Sequence, residues 1–76
     1  MKLCQLKVGD KAIITKIDST YIYYNRLIKM GVNIGEKLEV KRISILGSPM
    51  LINVCNYNLC IGKDIAKHID VKLSLV

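Results

Sequence analysis

Residues 25–40 change from helical to strand periodicity across two glycines, and this change limits the folds that the chain can adopt. Leu27 and Met30 lie three residues apart, which predicts one apolar face of a short amphipathic helix. Gly31 follows where a helix commonly ends in a left-handed residue, and Gly35 marks a turn before the next segment. A helix this short is unstable alone in water, so we expect it to pack on a sheet.

Alternating or β-branched segments predict five short strands. These strands cover residues 12–17, 38–44, 50–55, 59–61 and 69–73. Residues 18–20 supply turn or capping chemistry before the helix at 22–30, and a helical or 3-10 turn near 62–66 precedes the last strand. The pattern predicts a mainly β fold, a small barrel with one inserted helix, in a single domain over residues 1–76.

Glycine, proline and asparagine mark the expected turns and caps, because they tolerate or fix the backbone angles that turns require. These positions are Gly9, Gly31, Gly35, Gly47, Pro49 and Asn56, with a hairpin turn at 56–58. The chain has neither Trp nor Phe, so aliphatic side chains must build the core. The predicted core residues are Ile14, Ile17, Leu27, Met30, Leu38, Val40, Ile52, Val54, Leu59, Ile61 and Val71.

The chain carries a net charge of +6, and its basic residues are spread over the predicted solvent-facing strand positions. Such a charge favours approach to nucleic acid, anionic lipid or an acidic protein surface, without choosing among them. The sequence has neither an apolar run near the ~20 residues of a membrane helix nor a signal-peptide core. We therefore expect a soluble, cytoplasmic protein.

Residue types that carry catalysis or bind metals are sparse. Cys4, Cys55 and Cys60 are odd in number and lack C-x-x-C spacing, which predicts reduced, partly buried thiols acting as small apolar fillers. His68 is the sole histidine, the six acidic residues stand singly, and no phosphate-binding glycine motif occurs. The sequence predicts no enzyme active site, no cofactor and no metal site.

Several weak motifs follow one another in a defined order. They are Leu3-x-x-Leu6-x-x-Gly9, Ala12-x-Ile14-x-x-Ile17, Arg26-Leu27-x-x-Met30-Gly31-Val32-x-x-Gly35-x-x-Leu38-x-Val40, Leu46-Gly47-Ser48-Pro49-Met50, Ile52-x-Val54, Tyr57-x-Leu59 and Ala66-x-x-Ile69-x-Val71. Together, over nearly the full length, they resemble the FeoA family, small proteins associated with bacterial ferrous-iron uptake. The chain departs from that family at Asn25-Arg26, where paired arginines are common, and at Asn56-Tyr57, where a Gly-Tyr turn is common.

The resemblance implies an SH3-like barrel that acts as a non-enzymatic, cytoplasmic accessory beside FeoB, a membrane permease with a GTP-binding domain. Such a protein would dock on the cytoplasmic part of the permease, peripheral to the membrane, and modulate its nucleotide cycle or assembly. The helix flank, the following turn and two strand positions supply candidate contacts. These are Arg26, Lys29, Asn33, Arg42 and Tyr57.

Two other interpretations remain open at this point. A basic SH3-like module can bind nucleic acid or belong to a metal-dependent regulator, because fold alone does not choose function. The absence of a helix-turn-helix before the barrel disfavours a regulator, and we expect no nucleic-acid partner. An enzyme is the most distant interpretation.

The sequence leaves the oligomeric state open. Exposed edge strands allow a homodimer or homotrimer.

Overall fold

Five antiparallel strands form one sheet in the computed structural model, which describes residues 1–74. Residues 75 and 76 of the predicted domain lie outside the described residues. The strands are β1 (Lys11–Ile17), β2 (Lys37–Ile43), β3 (Met50–Val54), β4 (Tyr57–Ile61) and β5 (Ile69–Leu73), and the helices are α1 (Tyr24–Lys29) and α2 (Lys63–Ala66), preceded by a 3-10 turn at Leu3–Gln5. This element order confirms the predicted mainly β fold. The strands pair in the order β4-β3-β2-β1-β5, so β4 and β5 are the edges of the described sheet.

The sheet bends around its apolar side and encloses one core. Register shifts between Ile14 and Lys16 in β1, and between Val40 and Arg42 in β2, bend the two central strands. No polar or charged side chain of residues 1–74 is buried. The predicted core residues that the structure buries are Ile14, Ile17, Leu27, Leu38, Val40, Ile52, Val54, Ile61 and Val71, while Leu59 is half-buried against them.

The helix α1 is shorter than the predicted 22–30 because the chain makes a separate turn before it. The carboxylate of Asp18 accepts hydrogen bonds from the backbone N–H and hydroxyl of Thr20, at 3.0 and 2.6 Å. Asp18 thus closes a local turn and does not cap the helix. The N-cap is Tyr23, which makes no side-chain capping hydrogen bond.

The C-terminus of α1 explains why the prediction of Met30 as a core residue is wrong. Gly31 has φ of 93°, and its N–H donates to the carbonyl of Ile28 at 3.1 Å. The N–H of Val32 donates to the carbonyl of Leu27 at 3.0 Å, which completes a Schellman ending. Because the chain reverses here, Val32 lies in the core together with Leu27. Met30, at the C-cap, is 37% exposed.

The β3–β4 turn lies one residue earlier than predicted, and the predicted turn at 56–58 is wrong. Val54 pairs with Tyr57, so the turn consists of Cys55 and Asn56 alone. Both residues have positive φ, 53° and 64°, as a tight two-residue hairpin of right-handed twist requires. Tyr57 therefore belongs to β4, and Cys55 does not belong to β3.

Loop residues tie the remaining elements to the sheet. The hydroxyl of Ser48, in the β2–β3 loop, accepts a hydrogen bond of 2.9 Å from the N–H of Lys63 at the start of α2. This bond satisfies a donor that the helix itself leaves without a partner. Within residues 1–74, no helix is both long enough and apolar enough to cross a lipid bilayer.

Candidate partner-binding surface

A shallow groove of about 370 Å³ lies between the end of α1 and strand β4. We call it the α1–β4 groove, and its lining residues are Lys29, Met30, Gly31, Tyr57, Asn58 and Leu59. Met30 and Tyr57 are 37% and 66% exposed, although both are large apolar side chains. Exposed apolar surface bordered by a polar side chain suits contact with a protein partner.

Cys55 joins the hairpin turn to the end of α1, where Gly31 lines the groove. Its Sγ lies 3.1 Å from Oε2 of Glu36 and 3.4 Å from the carbonyl oxygen of Gly31. The hydrogen bond to Glu36 raises the pKa of the Cys55 thiol, and desolvation and the negative charge of Glu36 act in the same direction. The thiol stays protonated at neutral pH and is a hydrogen-bond donor, which opposes nucleophilic chemistry.

The predicted contact residues divide between two faces of the molecule. Lys29 and Tyr57 line the same groove although 28 positions separate them in the numbering. Arg26 lies one turn earlier on α1, with its guanidinium carbon 5.8 Å from the centre of the Tyr23 ring. Asn33 is half-buried just beyond the helix and does not line the groove.

Arg42 is the predicted contact residue that lies apart from the others. It pairs with Leu51 on β3, and Leu51 lies between the buried, inward-facing Met50 and Ile52. Because successive strand residues face opposite sides, Leu51 and Arg42 point outward. Arg42 lines a separate cavity with Cys60, on the outer face of the sheet.

A separate polar cluster surrounds a cavity of about 310 Å³. Nδ1 of His68 lies 3.3 Å from Oδ2 of Asp18, and the imidazole stacks on the ring of Tyr21 with centres 3.9 Å apart. Nζ of Lys2 lies 2.6 Å from Oδ1 of Asp70. Each carboxylate of the cluster thus has a local partner. Sequence reasoning missed the contact between His68 and Asp18, because 50 positions separate them and no motif links them.

Local hydrogen bonds lower the pKa of both carboxylates in this cluster. For Asp18 the main cause is the hydroxyl of Thr20, followed by the backbone N–H of Thr20, and His68 contributes less. For Asp70 the main cause is the hydrogen bond from Lys2. Both carboxylates are therefore ionised at neutral pH, which is opposite to what a general acid requires.

The structure separates the residues whose side chains are of metal-ligating type. Cys55 contacts Glu36, Cys60 is exposed on the outer face of β4, and His68 contacts Asp18. No group of three His, Cys, Asp or Glu side chains within residues 1–74 is close enough to hold a metal ion. The predicted apolar-filler role is wrong for Cys55 and Cys60, which are exposed, whereas Cys4 is half-buried against the core.

A comparison with known protein families identifies the family of this chain. The family model described as the FeoA domain matches residues 1–73. The chain belongs to the FeoA domain family. Its relatives include a putative Fe(2+) transport protein A of Methanocaldococcus jannaschii, 38% identical over 66 residues that cover 87% of this chain and 78% of the relative.

A further relative is a fusion of Fe(2+) transport protein A and the Fe(2+) transporter FeoB in Porphyromonas gingivalis. It is 27% identical over 73 residues, which cover 96% of this chain. The FeoA-family chain spans only 9% of the length of that fusion protein.

Solved structures match the fold closely. The solution structure of FeoA from Chlorobium tepidum superposes with a TM-score of 0.87 at 34% identity, covering 96% of this chain and 70% of that one. Zinc-complexed FeoA of Stenotrophomonas maltophilia, described as a prokaryotic SH3 domain protein, gives a TM-score of 0.83 at 21% identity, covering 95% and 89%. A manganese-dependent transcriptional repressor gives 0.86 at 16% identity, covering 99% and 41%. The last two show the fold alone, which is SH3-like.

Proposed function

We propose that this FeoA-family domain is a non-enzymatic, cytoplasmic accessory in ferrous iron transport. It docks on the cytoplasmic, GTP-binding part of a FeoB-type permease and modulates transport. The observation that carries the proposal is the P. gingivalis relative, in which a FeoA segment and FeoB form one chain. A covalent link keeps two segments at high effective concentration, which benefits segments that act in contact.

The chemistry of the described residues supports action by contact. The thiol of Cys55 is held protonated, and Asp18 and Asp70 are held ionised by neighbouring donors. Meanwhile the α1–β4 groove offers exposed apolar side chains beside Lys29. The net charge of +6 steers the domain toward an acidic partner surface.

We assign the docking contacts to the groove, which Lys29 and Tyr57 line, together with Arg26 one turn earlier on α1 and Asn33 just beyond the helix. Arg42 is a second contact candidate on the outer face. The groove and the Arg42 cavity have no lining residue in common, so substitutions at the two sites make separate predictions.

Titration calorimetry with the isolated cytoplasmic domain of the permease from the same organism tests the proposal. We expect association at low salt that weakens at moderate salt, because screening shortens the reach of the basic surface. Absence of salt-sensitive association would contradict the proposal.

A nucleic-acid-binding or regulator-type module is the second candidate, favoured by the basic charge and by the fold likeness to the manganese-dependent repressor. Its test is a mobility shift with DNA and with RNA over a range of salt concentrations. The affinity of a true binder falls steeply as the salt concentration rises. Each phosphate contact contributes about −1 to the slope of log affinity against log salt concentration. We expect no such dependence for this domain.

A further inference from the structure

The two edges of the described sheet differ in how they are covered. Along β5, the N–H of Val71 donates to the carbonyl of Met1 at 2.8 Å, and Lys2 forms a β-bridge with Asp70. The N-terminal segment therefore pairs with that edge. The edge of β4 has no such cover within residues 1–74, since β4 pairs with β3 alone.

The hairpin register identifies the backbone groups that β4 leaves free. In a two-residue hairpin the closing pair, here Val54 and Tyr57, exchanges hydrogen bonds, and such pairs then alternate along the ladder. Tyr57, Leu59 and Ile61 thus bond to β3. The N–H and C=O groups of Asn58 and Cys60 point away from β3, toward the open edge.

The composition of β4 is also unusual for an open edge. Protein edges are commonly protected by charge, proline or a covering segment. Residues 57–61 contain no charged residue and no proline, whereas β5 carries Asp70 and Lys72. The side chains of Tyr57 and Leu59 on this strand also form one wall of the α1–β4 groove, so the free backbone and the exposed apolar surface are continuous.

We infer that the open edge of β4 pairs with an extended segment of the permease's cytoplasmic part, which adds a sixth strand to the sheet. This inference rests on the proposed function. One side chain of the added strand faces the groove and is apolar, because Met30, Tyr57 and Leu59 surround that position. A neighbouring residue is acidic and reaches Lys29 at the rim.

Charge decides between a partner segment and a second copy of this chain. A second copy is a molecule of the same net charge of +6, and this like charge opposes its association, whereas an acidic segment is attracted. The bare edge is thus better matched to a different protein than to itself.

The test is a proline at the outward-facing N–H of β4. Cys60→Pro removes one edge donor and places a ring on the edge, but leaves the bonds between β3 and β4 in place. Cys60→Ser keeps the N–H and is the matched control. We expect Cys60→Pro to bind the permease's cytoplasmic domain at least about tenfold more weakly than wild type, and Cys60→Ser to bind as wild type does.

Amide hydrogen exchange of the wild-type protein gives a measurement that does not depend on how the proline variant folds. On binding the permease domain, we expect slower exchange at Asn58 and Cys60, with little change along β5. A folded Cys60→Pro variant with wild-type affinity, or unchanged exchange at both amides in the complex, would overturn the edge assignment while docking itself stands. No binding by wild type would overturn docking and this inference together. If raising the concentration of this domain alone slowed exchange at these two amides, a second copy of the chain would be the occupant of the edge, and the inference would be overturned.

Discussion

Gly31 ends helix α1 and contacts the hairpin turn through Cys55. Its φ of 93° is costly for any other L-residue, and a Cβ built there would lie 3.5 Å from Sγ of Cys55. That separation is an ordinary van der Waals contact, so the backbone conformation decides the cost of a substitution.

We therefore expect Gly31→Ala to lower the free energy of unfolding by about 1–2 kcal/mol. Gly47→Ala is the matched control, because Gly47 has a similar φ of 83° and nothing within 4 Å of its built Cβ. Urea denaturation of both variants should give similar losses. A loss at Gly31 several times larger than at Gly47 would show that the contact with Cys55 matters more than the backbone.

Cys55 predicts a specific dependence of stability on pH. Its pKa is raised in the folded state, chiefly by Glu36. A raised folded pKa means that the stabilisation is fully present below the unfolded pKa and is lost as pH rises through the folded pKa. We expect urea stability to fall between neutral pH and pH ~10 more steeply in wild type than in Cys55→Ser, whose hydroxyl does not titrate there. Equal slopes for the two proteins would contradict this role of the thiol.

At the scale of elements, the ending of α1 determines which apolar residue enters the core. Leu27 is 2% exposed and Val32 is fully buried, whereas Met30 between them is 37% exposed. The reversal at Gly31 makes Val32 continue the buried face that the helical spacing assigned to Met30.

This arrangement predicts unequal costs for two truncations in one helix. We expect Leu27→Ala to cost about 2–5 kcal/mol of unfolding free energy, because it leaves a cavity in a close-packed core. Met30→Ala at the exposed C-cap should cost less than about 1 kcal/mol. Thermal unfolding followed by circular dichroism measures both. Similar losses for the two variants would mean that Met30 packs in the core after all.

For the whole molecule, the position of a charge matters beyond its contribution to the net charge. Lys29 lies at the α1–β4 groove and Arg42 on the outer face of the sheet. Reversal to Glu at either site changes the net charge by the same amount, so the pair separates local contact from general steering.

We expect Lys29→Glu to weaken association with the cytoplasmic domain of the permease that we propose as partner several-fold more than Arg42→Glu does, and to reduce the salt dependence of association. Calorimetry at low and moderate salt, with thermal unfolding as the check on folding, provides the comparison. Equal weakening by both variants would point to long-range steering alone, and stronger weakening by Arg42→Glu would move the docking face to the outer side of the sheet.

The hydrophobic periodicity within each segment predicted most of the element order. The strands show alternation, and each short helix lies between segments that the pattern identifies as strands or turns. The run Ile69–Leu73 illustrates this, since its alternation predicted the bounds of β5. The order and spacing of the motifs resemble the FeoA family, and the match of the FeoA domain model to residues 1–73 shows the same family.

Only the tertiary structure decided the positions that depend on contacts between distant residues. Cys55 adopts a left-handed conformation, unusual for cysteine, in a turn held by Glu36 and Gly31 from elsewhere in the chain. The groove unites Lys29 with Tyr57 and leaves Arg42 on the other face. Periodicity tells which side of its own element a residue occupies, but the bend of the sheet determines which elements that side meets.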